Sequence, residues 1–290
     1  SVATPVTMGS GGGSSAGDGG GVAKLTVAGT TTLDGVMTSN GGSNGDVHQT
    51  PAAGGSIWLT TSNLTGSGTI RANGGAPNRA GGGGRVAVTL TASDSFGNVD
   101  IQAYGGDNAD SDGGAGTVYL RKQDQSVSNG VLLIRNMPGA VSSSYTLLSS
   151  SMSNAMVGAV LIEDTGRLRL GPAARIQVSR TWSNGNVFVS DSGSEMELVQ
   201  ADTFNFHGNS TFATLTSTNA NKPLQFSAGS TNGVTEFATI LGNAGTDVTL
   251  RSIQNGASWH LELDPATVAT FRYVDVKDSD ASPGATAVAI

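Results

Sequence analysis

The sequence predicts an all-β protein that folds as a parallel β-helix, or β-solenoid, with glycine-rich turns and with loops that project from one side. Three observations support this fold class. Short runs of residues alternate between apolar and polar, as half-buried strands do. Glycine, alone or after asparagine, bounds nearly every run. The runs recur at intervals of about 30 residues, which is the signature of a repeat architecture.

The composition is far from that of an average globular protein. The 290-residue chain contains 43 Gly, and its 15 basic and 22 acidic residues give a formal net charge of −7. Average usage is roughly 7% Gly and about 25% charged residues. Glycine follows no strict period of three, and Val, Ile, Leu and Phe are plentiful, so neither collagen nor a disordered chain fits.

The composition also excludes several functions. No cluster of Lys and Arg could neutralise a row of phosphates, so we do not expect nucleic acid as a partner. The apolar runs are too short to span a membrane as helices. The chain has no Cys, which removes disulfides, thiolate metal sites and thiol nucleophiles. It begins with Ser1 and shows no basic-then-apolar leader, so we interpret it as a processed or excised segment whose targeting signal lies outside it.

The first half of the chain repeats one pattern four times. Each repeat begins at a glycine, runs through one alternating stretch and then reaches a second. In the first three repeats, the second stretch ends at paired glycines. The opening glycines are Gly21, Gly55, Gly84 and Gly116, at spacings of 34, 29 and 32 residues, and the closing pairs end at Gly42, Gly75 and Gly106.

We expect each repeat to be a strand–turn–strand unit. Helices are excluded because β-branched residues dominate the runs and glycine interrupts every longer window. One such unit cannot bury its apolar face alone, so successive units must stack, with strands pairing between units around a continuous core of Val, Ile and Leu. The glycine clusters then lie at corners. Polar inserts at 43–53, 76–83 and 107–115 share one phase of the repeat and should project from one side.

The second half is less regular. From about residue 140 the glycine density falls, but short alternating runs continue with similar turn signals. Gaps of roughly 8 to 12 residues between runs also suit a sandwich or a barrel. We favour a continuing solenoid with three short strands per turn, because few two-residue Asn-Gly connections are available for hairpins. The runs start at residues 159, 167, 175, 186, 195, 203, 212, 224, 235, 248, 259 and 271.

The chain therefore divides into three parts. Residues 1–18 form an N-terminal segment with a strand-like tail. Residues 19–139 form the Gly-rich solenoid repeats, and residues 140–290 form continuing solenoid coils with less regular repeats.

These repeats resemble those of large bacterial exported surface proteins of the filamentous-haemagglutinin-like or autotransporter-like class. The resemblance covers about two thirds of the chain. It implies a right-handed parallel β-helix on the cell exterior that serves as a stalk, an adhesin or the protomer of a filament, and it implies no catalytic residues. The segments that carry it are 54–60, 64–75, 81–88, 113–121, 249–252, 259–261 and 273–282.

One segment, 107–114, matches the first half of a calcium-binding loop. Asn108, Asp110 and Asp112 place oxygen ligands at alternating positions, and a glycine follows for the tight turn. The bidentate glutamate of a complete EF-hand would fall on Tyr119, so a full EF-hand is excluded. Asn108, Asp110 and Asp112 are the candidate calcium ligands, in a site completed by solvent. A solvated acidic loop tip is the alternative.

Carboxylates elsewhere suggest a second class of site. Parallel β-helices can carry polysaccharide lyases and hydrolases, which use clustered carboxylates with an Arg or Lys. Glu195 and Glu197 should share one face of a strand, and Glu262, Asp264 and Arg251 are the other candidates. Two carboxylates on one face more often form a solvated strand surface, so we do not expect catalysis there.

A further acidic turn follows near the end of the chain. Asp278 and Asp280 lie close together in sequence, and Lys277 can neutralise them. We interpret this turn as an exposed corner. The three histidines are remote from one another in sequence, and no Asp or Ser motif frames them.

We predict a non-enzymatic, extracellular structural or adhesive β-solenoid, either a stalk segment of a surface protein or a self-assembling filament subunit. Self-association should use the solenoid ends or the strand-like termini, 1–7 and 286–290, and surface glycans are a further candidate partner. No cofactor is required apart from the candidate calcium. The alternative is a carbohydrate-binding or polysaccharide-degrading β-helix whose projecting loops form the binding face.

Overall fold

The computed structural model describes residues 1–13, 17–43, 50–76, 79–108, 112–126, 128–152, 155–200 and 202–280. These residues form β-strands and one 3₁₀ turn, with no α-helix among them, which confirms the all-β prediction. Within the same ranges, no helix is long and apolar enough to cross a membrane. The chain divides into two compact units, the first formed by residues 1–146 and 162–167 and the second by 147–161 and the described part of 168–290.

Eight strands belong to the first unit, and the remainder of the strands belong mainly to the second. The first eight are β1 (Val22–Thr32), β2 (Val36–Thr38), β3 (Ser56–Thr65), β4 (Thr69–Arg71), β5 (Arg85–Leu90), β6 (Asp100–Gln102), β7 (Thr117–Arg121) and β8 (Val131–Arg135). The later strands are β9 (Thr146–Leu148), β10 (Ala155–Glu163), β11 (Arg167–Leu170), β12 (Arg175–Asn184), β13 (Val187–Ser190), β14 (Glu195–Leu198), β15 (Phe204–His207), β16 (Ser210–Ser217), β17 (Pro223–Phe226), β18 (Thr231–Leu241), β19 (Val248–Ser252), β20 (His260–Leu263), β21 (Val268–Arg272) and β22 (Val274–Val276), with the 3₁₀ turn at Ser150–Met152.

The four long strands of the first unit pair in parallel at the predicted spacing. Val22 lies opposite Ser56, Ser56 opposite Arg85, and Arg85 opposite Thr117. Each partner directly follows one of the opening glycines, so the alignment of the four repeats is confirmed. The short strands β2, β4 and β6 form a second parallel ladder beside the first.

The fourth repeat departs from the expected pairing. Its second run, β8, pairs antiparallel with β7 of the same repeat, with Tyr119 opposite Leu132. The predicted pairing between successive repeats is therefore supplemented here by a pairing within one repeat. The buried Tyr119 holds the start of β8 in place, because its hydroxyl accepts a hydrogen bond of 3.1 Å from the backbone N–H of Gly130.

The glycine-rich segments that flank the long strands are extended rather than only turns. Ala52 and Gly55 both donate backbone hydrogen bonds to segment 39–42, whereas Ala53 and Gly54 donate to other segments. Gly81 and Gly84 likewise both donate to segment 72–75. Donors three residues apart therefore reach the same neighbour, which is the periodicity of a polyproline-II-like backbone rather than of a strand.

Glycine is required in these segments because backbones pass at close range. A Cβ on Gly41 would lie 2.0 Å from the carbonyl oxygen of Ala52, and a Cβ on Gly81 would lie 2.0 Å from the same oxygen. No such separation is tolerated between non-bonded atoms. The first unit thus contains a layer in which backbone packs and hydrogen-bonds directly to backbone.

The second unit is built from parallel ladders with shorter steps. Arg175 lies opposite Glu195, and Glu195 lies opposite Thr214. A second ladder joins β12 to β15, β17, β19 and β22, and a third sheet contains β9, β11 and β13. Every alternating run predicted in the second half overlaps a strand. The last run, which starts at 271, is divided into two strands by Tyr273, whose φ of 51° lies in the left-handed region.

The cores of the two units differ in side-chain type. Between its ladders the first unit buries aliphatic residues such as Ile57, Leu59 and Ile70. The second unit buries stacked rings: Phe206 and Phe226 lie 4.8 Å apart between centroids, and Phe226 and Trp259 lie 4.0 Å apart, in nearly parallel planes. In-register parallel pairing explains the first stack, because Phe206 lies directly opposite Phe226. Trp259 extends the column from outside the paired strands, since the register partner of Phe226 on β19 is Ser252.

The N-terminal segment is attached to the first unit without forming a strand. Residues 1–13 contain no strand, although Val2 and Pro5 are buried. Ser56 Oγ donates to the carbonyl oxygen of Thr7 at 2.6 Å, and the Arg85 guanidinium donates to the Thr7 hydroxyl at 2.5 Å. The tail predicted to be strand-like is therefore bound to β3 and β5 through their side chains.

Candidate functional site

The candidate calcium ligands are only in part within the described residues. Asp110 lies outside them, whereas Asn108 and Asp112 are described. Asp112 is buried, and its carboxylate accepts hydrogen bonds from the backbone N–H of Asn108, at 2.7 Å, and of Val141. Both of its oxygens therefore fasten the loop to the chain. Calcium binding stays a prediction, and no group of three His, Asp or Glu suited to a metal occurs in the described part of the chain.

Glu195 and Glu197 lie on one face of β14, as predicted. Arg175 on the neighbouring strand forms ion pairs with both, at 3.3 Å to Glu195 and 2.5 Å to Glu197. The Gln177 amide donates to the same oxygen of Glu197 at 2.5 Å. The two carboxylates thus serve as partners of a guanidinium and an amide across a strand pair.

The other carboxylate candidates do not assemble with their expected arginine. Glu262 and Asp264 line a shallow depression of about 270 Å³ together with Thr211 and Thr235. Arg251 instead donates to the carbonyl oxygen of Asp275 at 2.7 Å and forms an ion pair with its carboxylate. The depression therefore brings Glu262 and Asp264 together, while Arg251 is paired with Asp275.

The acidic turn near the end of the chain is in part the exposed corner that the sequence predicts: Lys277 is exposed, whereas Asp278 and Asp280 are half-buried. Lys277 donates to the amide oxygen of Asn255 at 2.7 Å. The turn is organised by backbone instead: the carbonyl oxygen of Asp278 accepts from Trp259 N at 3.1 Å, and Asp280 N donates to Trp259 O at 2.9 Å. Asp278 adopts a left-handed φ of 61°. Backbone hydrogen bonds therefore hold the turn beside the buried Trp259.

One lysine is buried among backbone carbonyl oxygens, and no sequence motif indicates it. Lys222 is fully buried, and its ammonium lies 2.6 Å from the carbonyl oxygen of Gln200 and 3.1 Å from those of Val199 and Asp202. Burial lowers the pKa of Lys222 to about 8, and the nearby Asp202 carboxylate acts in the opposite direction. Lys222 thus holds the irregular loop after β14 in place.

The first layer of the first unit, which we define as β1 and β2, is exposed in a way that later layers are not. Leu25 has 36% of its surface exposed, whereas Leu59, its partner on β3, is fully buried. Val36 on β2 is 56% exposed. Within the described residues, β1 pairs only with β3 and β2 only with β4, so each keeps one unpaired edge.

Comparison of the chain with protein-family models, with curated proteins and with solved structures gives no match.

Proposed function

We propose that the chain is a β-solenoid with a structural or adhesive role on the bacterial cell exterior, either a stalk segment of a surface protein or a self-assembling filament subunit. One observation carries the proposal. Equivalent residues of successive repeats lie directly opposite one another in parallel pairs, from Val22 through Ser56 and Arg85 to Thr117.

Such a register suits extension. When each repeat contacts only its neighbours, stability is close to a sum over repeats and interfaces, and repeats can be added without redesigning a core. Each added layer lengthens the stack by about 4.8 Å. The ladders of the first unit supply this property, because Gly55, Gly84 and Gly116 each fit against the carbonyl of the opening glycine one layer earlier. A spacer or stalk needs length and rigidity more than it needs an active site.

An insertion tests the proposal. A second copy of residues 56–116 contains two complete register steps and can be placed between Gly116 and Thr117. We expect the variant to fold, to keep the thermal midpoint of the parent, and to gain about 10 Å in maximum dimension by small-angle X-ray scattering.

The matched control carries the same block after Lys122. There it enters the connection between the antiparallel strands β7 and β8, out of phase with the parallel ladders. We expect this control to lose its cooperative transition. An in-phase variant that unfolds like the control, or that folds without lengthening, would contradict the proposal. Depolymerisation of an acidic polysaccharide by the purified chain would favour the carbohydrate-active alternative instead.

A further inference from the structure

The first layer carries the features of an interface between successive layers. Its inner positions, Ala23, Leu25 and Val27, lie opposite Ile57, Leu59 and Thr61 on β3. All three positions on β3 are buried, because β3 is covered on both sides by β1 and β5, whereas their partners on β1 are half-buried or exposed. The apolar side chains of β1 thus suit a strand that is covered by a further strand on each side, whereas in the described chain β1 has one such neighbour, β3.

The backbone of β1 presents a matching edge. Ser56 N donates to the carbonyl oxygen of Gly21 at 2.9 Å, so the groups of Gly21 point toward β3. Because successive residues of a strand direct their N–H and C=O to opposite sides, those of Val22, Lys24 and Thr26 point to the other edge. This edge is a template for one more strand.

Gly21 and Gly35, which directly precede β1 and β2, show what kind of strand fits this edge. Their equivalents in the next layer are Gly55 and Gly68. A Cβ on Gly55 would lie 2.0 Å from the carbonyl oxygen of Gly21, and a Cβ on Gly68 would lie 2.2 Å from that of Gly35. Gly21 and Gly35 occupy the same positions one layer earlier. Apart from their own chain neighbours, no atom of the described chain lies within 4 Å of where their Cβ atoms would be. Neither has a left-handed φ. Their lack of a side chain is explained if the carbonyl of a further parallel layer packs there.

The last strands of the second unit present a complementary edge. In the described residues β21 pairs only with β18, and β22 pairs only with β19. On β21, Ala269 and Phe271 lie opposite the buried Ala238 and Ile240, but are themselves only half-buried. Strand β21 thus has the small-then-large apolar alternation that also occurs at Ala23 and Leu25.

We propose that a second copy of this chain docks its β21 edge, in parallel, on the β1 edge of the first. The inference rests on the proposed solenoid and names its partner. A two-fold pairing of β1 with another β1 would be antiparallel and would not place carbonyls as successive layers do at Gly55 and Gly68. Head-to-tail docking uses two different surfaces, so it repeats from copy to copy and builds either a ring or an open chain of subunits rather than a two-fold dimer.

Three alanine substitutions test the docking by sedimentation velocity over a range of concentrations. We expect the parent chain to form a concentration-dependent series of oligomers. Gly21→Ala and Gly35→Ala should weaken this association by about tenfold or more, because the methyl group would overlap the incoming carbonyl. Both should leave the unfolding midpoint unchanged, because each Cβ faces open space in the single chain.

Gly82→Ala is the matched control. Gly82 lies in a glycine-rich segment between layers, and a Cβ there would meet no atom closer than 4.0 Å, so the variant should associate as the parent does. A parent chain that stays monomeric, or that stops at a dimer, would overturn the proposal. So would Gly21→Ala and Gly35→Ala variants that associate like the parent.

Mixing two cysteine variants identifies the contacting strands. The chain has no cysteine, so Lys24→Cys and Thr270→Cys each introduce a single thiol at an exposed position. We expect a disulfide between the two variants when they are mixed under mild oxidation, since paired strands bring such side chains within bridging distance. If Lys24→Cys instead formed disulfides mainly with a second Lys24→Cys chain, the result would indicate the two-fold arrangement and contradict head-to-tail docking.

The two proposals fail in different experiments. A monomeric parent that nonetheless lengthens on insertion of residues 56–116 keeps the solenoid function and removes only the docking. An insertion variant that unfolds removes the solenoid function, whatever the oligomeric state of the parent.

Discussion

The two compact units fill the space between parallel ladders with different material. In the first unit, glycine-rich segments bring backbone against backbone. A neighbouring carbonyl oxygen lies 2.2 Å from where a Cβ on Gly84 would be, and another lies 1.9 Å from where a Cβ on Gly116 would be. In the second unit, the rings of Phe206, Phe226 and Trp259 stack in one column. A regular ladder therefore does not require one kind of core. It requires that the groups at one position find groups of matching shape to pack on in the next layer.

The difference teaches where each unit is vulnerable. A backbone-packed layer has no space for an added atom, so it is sensitive to enlargement at glycine. In a ring column each large side chain fills a space that its neighbours cannot fill, so the column is sensitive to truncation of a ring. The two units also differ in the number of residues between paired strand positions. This number is larger in the first unit, where glycine-rich segments add residues to each repeat, than between β12, β14 and β16.

The largest expected effect is truncation in the ring column. Phe226→Ala removes a fully buried ring that stacks on both Phe206 and Trp259, and we expect a loss of about 3–5 kcal/mol in the free energy of unfolding. Native-state hydrogen exchange should show the loss at the amides of β15, β17 and β19. The matched control is Phe237→Ala, since that ring is 52% exposed, and its effect should stay within about 0.5 kcal/mol. Equal losses for the two variants would contradict a ring column that stabilises the second unit.

Enlargement in the backbone-packed layer should have the next largest effect. A Cβ on Gly84 would lie 2.2 Å from the carbonyl oxygen of Gly55, so Gly84→Ala must displace backbone, at a cost of about 1–3 kcal/mol. Gly82→Ala, two residues earlier, meets nothing closer than 4.0 Å and should change the free energy of unfolding by less than about 0.5 kcal/mol. Chemical denaturation of the two variants side by side measures the difference. If Gly82→Ala were as damaging as Gly84→Ala, the loss would reflect glycine flexibility rather than close packing.

The sequence predicts the ladders of the first unit well, because alternation and glycine spacing together determine the register. The opening glycines align Val22, Ser56, Arg85 and Thr117 without any structural information. The hairpin of β7 and β8 has no such signal. A nine-residue connection between two apolar runs is compatible with either a parallel return or an antiparallel one, and the choice depends on which neighbour the second run meets.

Other features have weak or no sequence signals. The three-residue period of the hydrogen bonds in the glycine-rich segments involves backbone groups, which every residue carries. The sequence hints at it only through Gly-x-x-Gly spacings such as those at 81–84 and 113–116. Lys222 looks like a surface lysine in sequence. Its burial depends on a loop that brings carbonyl oxygens of residues 199, 200 and 202 around one ammonium. The candidate calcium loop is indicated by residue type alone, and residue type does not reveal that Asp112 accepts hydrogen bonds from two backbone N–H groups.

The smallest expected effect is a pH dependence confined to the second unit. The pKa of Lys222 is about 8 in the folded chain, below its ordinary value of 10.5. Between these values the folded chain has released the proton while the unfolded chain keeps it, so the free energy of unfolding should rise with pH. At pH below 8 both states are protonated, and the penalty for burying the charge is fully present. From pH 7 to pH 9 we expect a gain of about 1 kcal/mol.

Lys222→Met isolates this effect, because it keeps an unbranched side chain and removes the titrating group. The variant should be less stable than the parent at pH 7, since the carbonyl oxygens of Val199, Gln200 and Asp202 lose their donor. Its stability should also lack the rise between pH 7 and pH 9. Burial raises the pKa values of Tyr104 and Tyr119 above their ordinary value, so those groups act only at higher pH. A parent whose stability falls over this range relative to Lys222→Met would mean that the carbonyl oxygens stabilise the ammonium by more than its burial costs. The carbonyl oxygens around Lys222 would then stabilise the second unit by binding the ammonium, whereas the first unit is stabilised by glycine-rich backbone contacts.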